Sequence, residues 1–320
     1  MKKKSLKKNT FAYLVSMRWC YSPIAVMTGW LGISFAGTHP NNLRQILVLA
    51  VLSFGWGANQ IINDYLGLAE DKLNAPNRPM TSGKLNIKFA LTLSLIIFFL
   101  GFILTYRLNP EALIFYLAAF ILNLGYARAK RMPLVGNIIF GLLITCCLYY
   151  APMGVYRIKL LDLMVNGRLA ALAILIWLIN FTLCFFTDFK DFQGDKKTKI
   201  KTLVVLLSPQ RAKYLGLILI IIPFFCLTLF LKYSLLPQPG IIFSPLLILT
   251  FLTFLYPALL LIKNPAKLNS RRCLKWFVMG IVLFESALMG LITPGLSAIL
   301  FILNFIGITG LFKLYKDYPI

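Results

Sequence analysis

Acidic side chains are scarce in this chain and histidine is nearly absent. Of 320 residues, ten are Asp or Glu and one, His39, is histidine. Beside 59% apolar residues, so few carboxylates exclude an ordinary soluble domain. A polar module is missing as well. Apolar runs follow one another from end to end, so a length that could hold two domains reads as one membrane domain over residues 1–320. The six cysteines have no metal-ligand spacing, and five lie in or beside apolar runs, so they read as reduced, small buried hydrophobes. The single histidine sits between two runs and is expected to be solvated, not a ligand. The amino-terminal MKKKSLKK lacks a small-residue cleavage site behind it, which favours an uncleaved first membrane helix over a signal peptide. The net charge of +23 does not point to nucleic acid, because no basic stripe or stacking motif stands clear of the apolar runs.

What is present is a series of ten runs, each close to the length of about 20 apolar residues that spans a bilayer. They cover residues 11–37, 43–63, 87–106, 111–126, 134–151, 169–187, 212–231, 242–262, 274–291 and 295–312. The pattern predicts an all-α polytopic membrane bundle of nine or ten transmembrane helices. Asn109-Pro110 is a helix start, and Pro294-Gly295 separates the last two runs. Of the 33 Lys and Arg, 26 fall in the amino-terminal tail and alternate loops, six in the opposite loops, and Arg18 inside the first run. Basic loops stay in the cytoplasm, so the amino terminus is expected there, in a bacterial cytoplasmic (inner) membrane.

Six of the ten carboxylates are concentrated in two islands. The first, residues 59–83, reads NQIINDYLGLAEDKLNAPNRPMTSG and holds Asp64, Glu70 and Asp71. The second, residues 187–203, reads TDFKDFQGDKKTKIKTL and holds Asp188, Asp191 and Asp195. Both fall in loops of the predicted cytoplasmic face, as does the basic stretch at 128–133. Carboxylates beside a low-dielectric region are costly unless they bind something cationic. Hard oxygen donors favour magnesium, which pairs one or two carboxylates with substrate phosphates. If the second run continues as helix, Asn63, Gly67 and Asp71 share one face at i, i+4 and i+8. Asp188, Asp191 and Asp195 do so at i, i+3 and i+7. Glu285, inside the ninth run, is either a functional carboxylate or a protonated packing residue.

Asn63-Asp64-Tyr65 with Asp71 to Pro79 and Ser82-Gly83 resembles the first aspartate-rich motif of the UbiA superfamily of intramembrane prenyltransferases. Asp188 to Asp195, followed by Ile200-Lys201-Thr202-Leu203, resembles the second. Tyr126-Ala127-Arg128-Ala129-Lys130 with Gly136-Asn137 is similar to the family's tyrosine–lysine signature. The resemblance implies a Mg2+-dependent enzyme, set among membrane lipids, that ionises a prenyl diphosphate and passes the prenyl group to a lipophilic or aromatic acceptor. It makes Asn63, Asp64, Asp71, Asp188, Asp191 and Asp195 candidate metal ligands, with Asp64, Asp71, Asp191 and Asp195 central to catalysis. Arg78, Lys130, Tyr126, Asn137 and Arg18 become diphosphate-binding candidates.

One position departs from the pattern. Gly67 stands where the middle aspartate of the first motif belongs, as in superfamily members that cyclise terpenes without an acceptor. A cyclase is therefore the alternative to transfer, and a transporter a minor third reading, disfavoured because the acids gather at one face and not at the midplane.

Overall fold

The computed structural model describes residues 2–37, 41–264 and 267–315, so His39 lies outside the described residues. These residues fold into helices without a strand. In chain order they are α1 (Lys2–Ser16), α2 (Ser22–Ala36), α3 (Asn42–Leu66), α4 (Leu68–Asn74), α5 (Ile87–Leu108), α6 (Leu113–Ala129) and α7 (Val135–Tyr156). After them come α8 (Leu160–Met164), α9 (Gly167–Lys197), α10 (Leu203–Leu207), α11 (Pro209–Lys232), α12 (Phe243–Lys263), α13 (Lys267–Met289) and α14 (Pro294–Leu314).

Asparagines set several of the starts by accepting a hydrogen bond from an orphan backbone N–H of the first turn. Asn41 takes the N–H of Arg44 at 3.0 Å, Asn86 that of Phe89 at 3.0 Å, and Asn166 that of Leu169 at 3.2 Å. Asn109 accepts from Glu111 at 3.0 Å, with Pro110 following it in a 3-10 turn ahead of α6, as the sequence pattern anticipates.

Eight helices among the described residues are long and apolar enough to cross a bilayer, and α2 and α13 complete the bundle beside them. Helices α7, α9 and α13 carry the bulk of the core, with Ile144, Leu148, Leu175, Ile179, Val282 and Phe284 fully buried. The outer helices turn large apolar side chains outward, among them Phe99, Ile121, Ile218, Phe225, Ile248 and Ile302. An apolar belt of this size is the surface that lipid covers, while helical structure pairs most of the backbone within each segment. The chain is an integral membrane protein.

The first run is not one helix as expected. It breaks after Ser16, turns through a 3-10 element at Trp19–Tyr21, and resumes as α2. Pro23 has no N–H to give and its ring crowds the carbonyl four residues back, so it opens a helix and cannot continue one. At the break Arg18 adopts left-handed backbone angles, φ 48° and ψ 55°. The break is tied to the far end of the chain. The Trp19 N–H donates to the Tyr315 hydroxyl at 3.2 Å, and that hydroxyl donates to the Leu14 carbonyl at 3.3 Å. Glu285 belongs to the packing. It is fully buried on α13, accepts from the Thr28 hydroxyl at 2.5 Å, and lies on neither of the cavity walls described below.

Candidate functional site

Both acidic islands and the basic loop converge on one cavity of about 180 Å³ at one end of the bundle. Helix α3 carries Gln60, Asn63 and Asp64 into it on successive turns. At Gly67 the helix pauses for a single residue and α4 begins, bringing Glu70, Asp71 and Asn74 to the wall. The ladder survives the pause: Gly67 N–H reaches Asn63 O, and Asp71 N–H reaches Gly67 O, both at 2.9 Å. The expected i, i+4, i+8 row is therefore kept, slightly bent. The acidic part of the second island lies inside α9, whose last three turns present Asp188, Lys190, Asp191 and Asp195.

The turn-rich part of the first island exists to aim one arginine. Its backbone is pinned by Thr81, whose hydroxyl donates to Ala75 O at 3.1 Å and Arg78 O at 3.0 Å, and by Leu85 N–H to Pro79 O at 2.9 Å. Gly83, at φ 73°, takes the left-handed corner that a side chain would resist. So held, the buried Arg78 guanidinium bonds closely to Asp71 and lies 3.5 Å from Asp64. Burial works against its charge, but Asp64, Asp71 and Asp191 more than offset that and hold its pKa above the ordinary arginine value. Arg18, from the break in the first run, bonds closely to Asp64 and donates to Gln60 Oε1 at 3.2 Å.

Two contacts join the islands to each other and to the basic loop. Asn74 Nδ2 donates to Asp195 Oδ1 at 3.3 Å, bridging the first island to the second. Gly194 makes that approach possible, since a methyl group at 194 would overlap the Asn74 amide. Arg131 Nη2 reaches Glu70 Oε1 at 2.7 Å, fastening the loop after α6 onto α4. The same loop extends Lys130 over Gly67, with Nζ 3.5 Å from where a Cβ would stand. Tyr126 completes that wall, its hydroxyl 3.5 Å from Cys184 Sγ.

Of the predicted site residues, Arg18, Asn63, Asp64, Asp71, Arg78, Tyr126, Lys130, Asp188, Asp191 and Asp195 all line this cavity. Asn137 does not; it is buried on α7 with its Nδ2 unpaired. Lys190, Gln60, Asn74 and Trp56 line the wall without having been singled out in the sequence. Gln60 stands four residues before Asp64 and Lys190 between two motif aspartates, which are the periodicities that could have found them.

Six carboxylates face four cations here, leaving a formal charge of −2 before any ligand. All four ion pairs among the described residues involve Asp64, Glu70 or Asp71, and none involves Asp188 or Asp191. No three acids among the described residues stand close enough to enclose a metal unaided. The donors are nonetheless all oxygen, and Asn63 Oδ1 is buried in the wall without a partner. Such an open set fits magnesium, which completes its octahedron with phosphate oxygens and water.

A lipid-covered bundle with an acid- and arginine-lined cavity at its end, flanked by apolar walls, is the build of an integral-membrane transferase. Its family follows from comparison with known proteins. The UbiA prenyltransferase family matches residues 25–284, and the chain belongs to that family. The digeranylgeranylglyceryl phosphate synthase of Pyrococcus horikoshii is 32% identical over 204 residues, covering 63% of this chain and 70% of that protein. The protein of the same name from Thermococcus sibiricus is 30% identical over 277 residues, covering 85% and 94%. Among solved structures, a UbiA homologue from Aeropyrum pernix K1 superposes with a TM-score of 0.69 at 18% identity, covering 82% of this chain and 96% of that one. A homologue from Archaeoglobus fulgidus bound to DMAPP and Mg2+ gives 0.60 at 17%, covering 88% and 99%. The structural likenesses show the fold. These relatives are archaeal, and nothing in them supports the bacterial setting expected from the sequence. The chain is a membrane prenyltransferase.

Proposed function

We propose that this chain joins a geranylgeranyl group, supplied as its diphosphate, to the free hydroxyl of a glyceryl phosphate that already carries one such group. The observation that carries the reading is the convergence of both acidic islands, Arg78 and Lys130 on one cavity with apolar walls beside it. The name shared by the Pyrococcus and Thermococcus relatives supports the choice of substrates.

Asp188, Asp191 and Asp195 on α9, with Asp64, Asp71 and Asn63 on the facing elements, hold Mg2+ in this reading. The metal supplies charge neutralisation for the diphosphate. Arg78, Lys130 and Arg18 meet the charge that grows on the leaving oxygen, where preformed cations in a dry site act most strongly. Tyr126 flanks them. Asn137, behind the wall, has no direct contact in this scheme. The C1–O bond breaks with its electron pair remaining on the diphosphate. The acceptor oxygen forms the new bond to C1, and its proton passes to the released diphosphate. Ile24, Phe140, Leu183 and Leu274, apolar members of the wall, keep water from the allylic centre.

The Lys/Arg asymmetry supports placing the cavity, and the amino terminus, on the cytoplasmic side of a cytoplasmic membrane. One membrane domain carries the whole reaction. The test is mass spectrometry of products from purified protein, Mg2+, geranylgeranyl diphosphate and the monosubstituted glyceryl phosphate. Acceptor-dependent formation of the doubly substituted lipid is expected. Diphosphate release that ignores the acceptor, with a cyclic hydrocarbon as product, would overturn the transfer reading in favour of a cyclase.

A further inference from the structure

A second cavity of about 50 Å³ adjoins the first, between α3, α5, α6 and α7. Its lining is apolar and aromatic, with Leu52, Phe98, Phe115, Phe120 and Leu143. Trp56 belongs to both walls and so stands at the boundary between them. Two polar atoms at this boundary are buried without a partner: the indole Nε1–H of Trp56 and the side-chain Oδ1 of Asn59, which lines the apolar cavity. Trp56 is 6% exposed, so bulk water does not satisfy its donor.

The two residues are three apart on α3 and share a face. One offers a donor and the other an acceptor. Asn63, whose Oδ1 is also unpaired, comes one turn later, about 6 Å along the helix axis, and faces the polar cavity. A group held by Trp56 and Asn59 is thus one turn from the end that suits a diphosphate.

A hydroxyl satisfies both atoms at once, accepting from the indole N–H and donating to the amide oxygen. An aromatic carbon nucleophile satisfies neither and leaves two buried polar groups unpaired, which is unfavourable. We propose that Trp56 and Asn59 bind and orient the hydroxyl of the acceptor, which makes this enzyme selective for alcohols over carbon nucleophiles. The proposal rests on the transfer reading above and adds the chemistry that selects the acceptor.

The test compares binding of the acceptor alcohol with its deoxy analogue, in which hydrogen replaces the hydroxyl. Affinities are measured by displacement of labelled acceptor in the presence of an unreactive thiolodiphosphate donor, so no turnover is needed. Wild type is expected to favour the alcohol by about tenfold or more, as one well-made pair of hydrogen bonds allows. In Trp56→Phe, which keeps the ring and removes the N–H, the ratio is expected to fall to about threefold or less. Asn59→Leu is expected to do the same, and if it does not fold Trp56→Phe decides alone. A tenfold preference that persists in the folded variants, or no preference in wild type, overturns the hydroxyl site. Repeating the ratio with a phosphate-free glyceryl alcohol separates the two claims. A hydroxyl preference lost in the variants, without transfer to glyceryl phosphate, supports the hydroxyl site while removing the acceptor named above.

Discussion

Replacing Gly67 by Asp adds the carboxylate that the motif lacks, and the structure says where that carboxylate goes. Gly67 has φ −96°, a backbone any residue adopts, and its Cβ would sit 3.5 Å from Lys130 Nζ and 3.2 Å from Asn63 O. The first side chain that the new carboxylate meets is thus an ammonium. At about 4 Å and an effective dielectric near 20, the attraction is about 4 kcal/mol before desolvation. Desolvation and lost side-chain freedom leave a net of roughly 1–2 kcal/mol, which holds Lys130 away from a diphosphate. In EDTA, affinity for an unreactive thiolodiphosphate donor should therefore weaken about 5- to 30-fold. With metal present the added oxygen donor should instead lower the Mg2+ concentration needed for half-maximal turnover. Isothermal titration of Gly67→Asp, Lys130→Met and the double variant measures the coupling. The reasoning predicts a coupling of at least about 1 kcal/mol; effects that add within about 0.5 kcal/mol would show that position 67 and Lys130 do not meet.

Three further outcomes are expected. Gly194→Ala should push Asn74 off Asp195 and separate the two islands, lowering kcat about tenfold or more; unchanged kcat in a folded variant would refute the bridge. Arg131→Ala strands the buried Glu70 carboxylate and should cost about 1–2 kcal/mol, discounted because Arg131 is itself largely exposed, read as a lower Tm in detergent. Asp191→Ala and Asp195→Ala should each abolish turnover and wild type should be silent in EDTA, whereas full activity with the metal chelated would contradict the mechanism.

Much of this was legible because membrane segments and their charged loops announce themselves locally. Ten apolar runs, the Asn-Pro start at 109–110 and the two acidic islands each need only a short window of sequence. The break after residue 16 was also written there, in Arg18 and Pro23, but the mainly apolar composition across residues 11–37 reads as a single run. What the sequence could not show was pairing over long separations. That Arg18 turns onto Asp64, that Glu70 is held by Arg131, and that Lys130 covers Gly67 all depend on how α4 and the loop after α6 dock. The last of these changes how Gly67 reads: an ammonium stands 3.5 Å from where its Cβ would be, a cation within reach of any side chain placed there. Asn137 illustrates the converse, a motif position whose neighbours line the cavity while it points into the helix packing.

The hydrogen bonds from Tyr315 to the break at residues 14–19 also fix a parity. A chain that leaves one membrane face at Trp19 and returns to the same point at Tyr315 has crossed an even number of times. Eight long apolar helices with α2 and α13 give ten elements between those two points among the described residues, an even number, whereas an odd number of crossings would set the two hydrogen-bonded points on opposite faces. The latch also makes the end of α14 a neighbour of the segment that carries Arg18, so a carboxy-terminal fusion or truncation reaching Tyr315 would loosen the rim of the cavity itself.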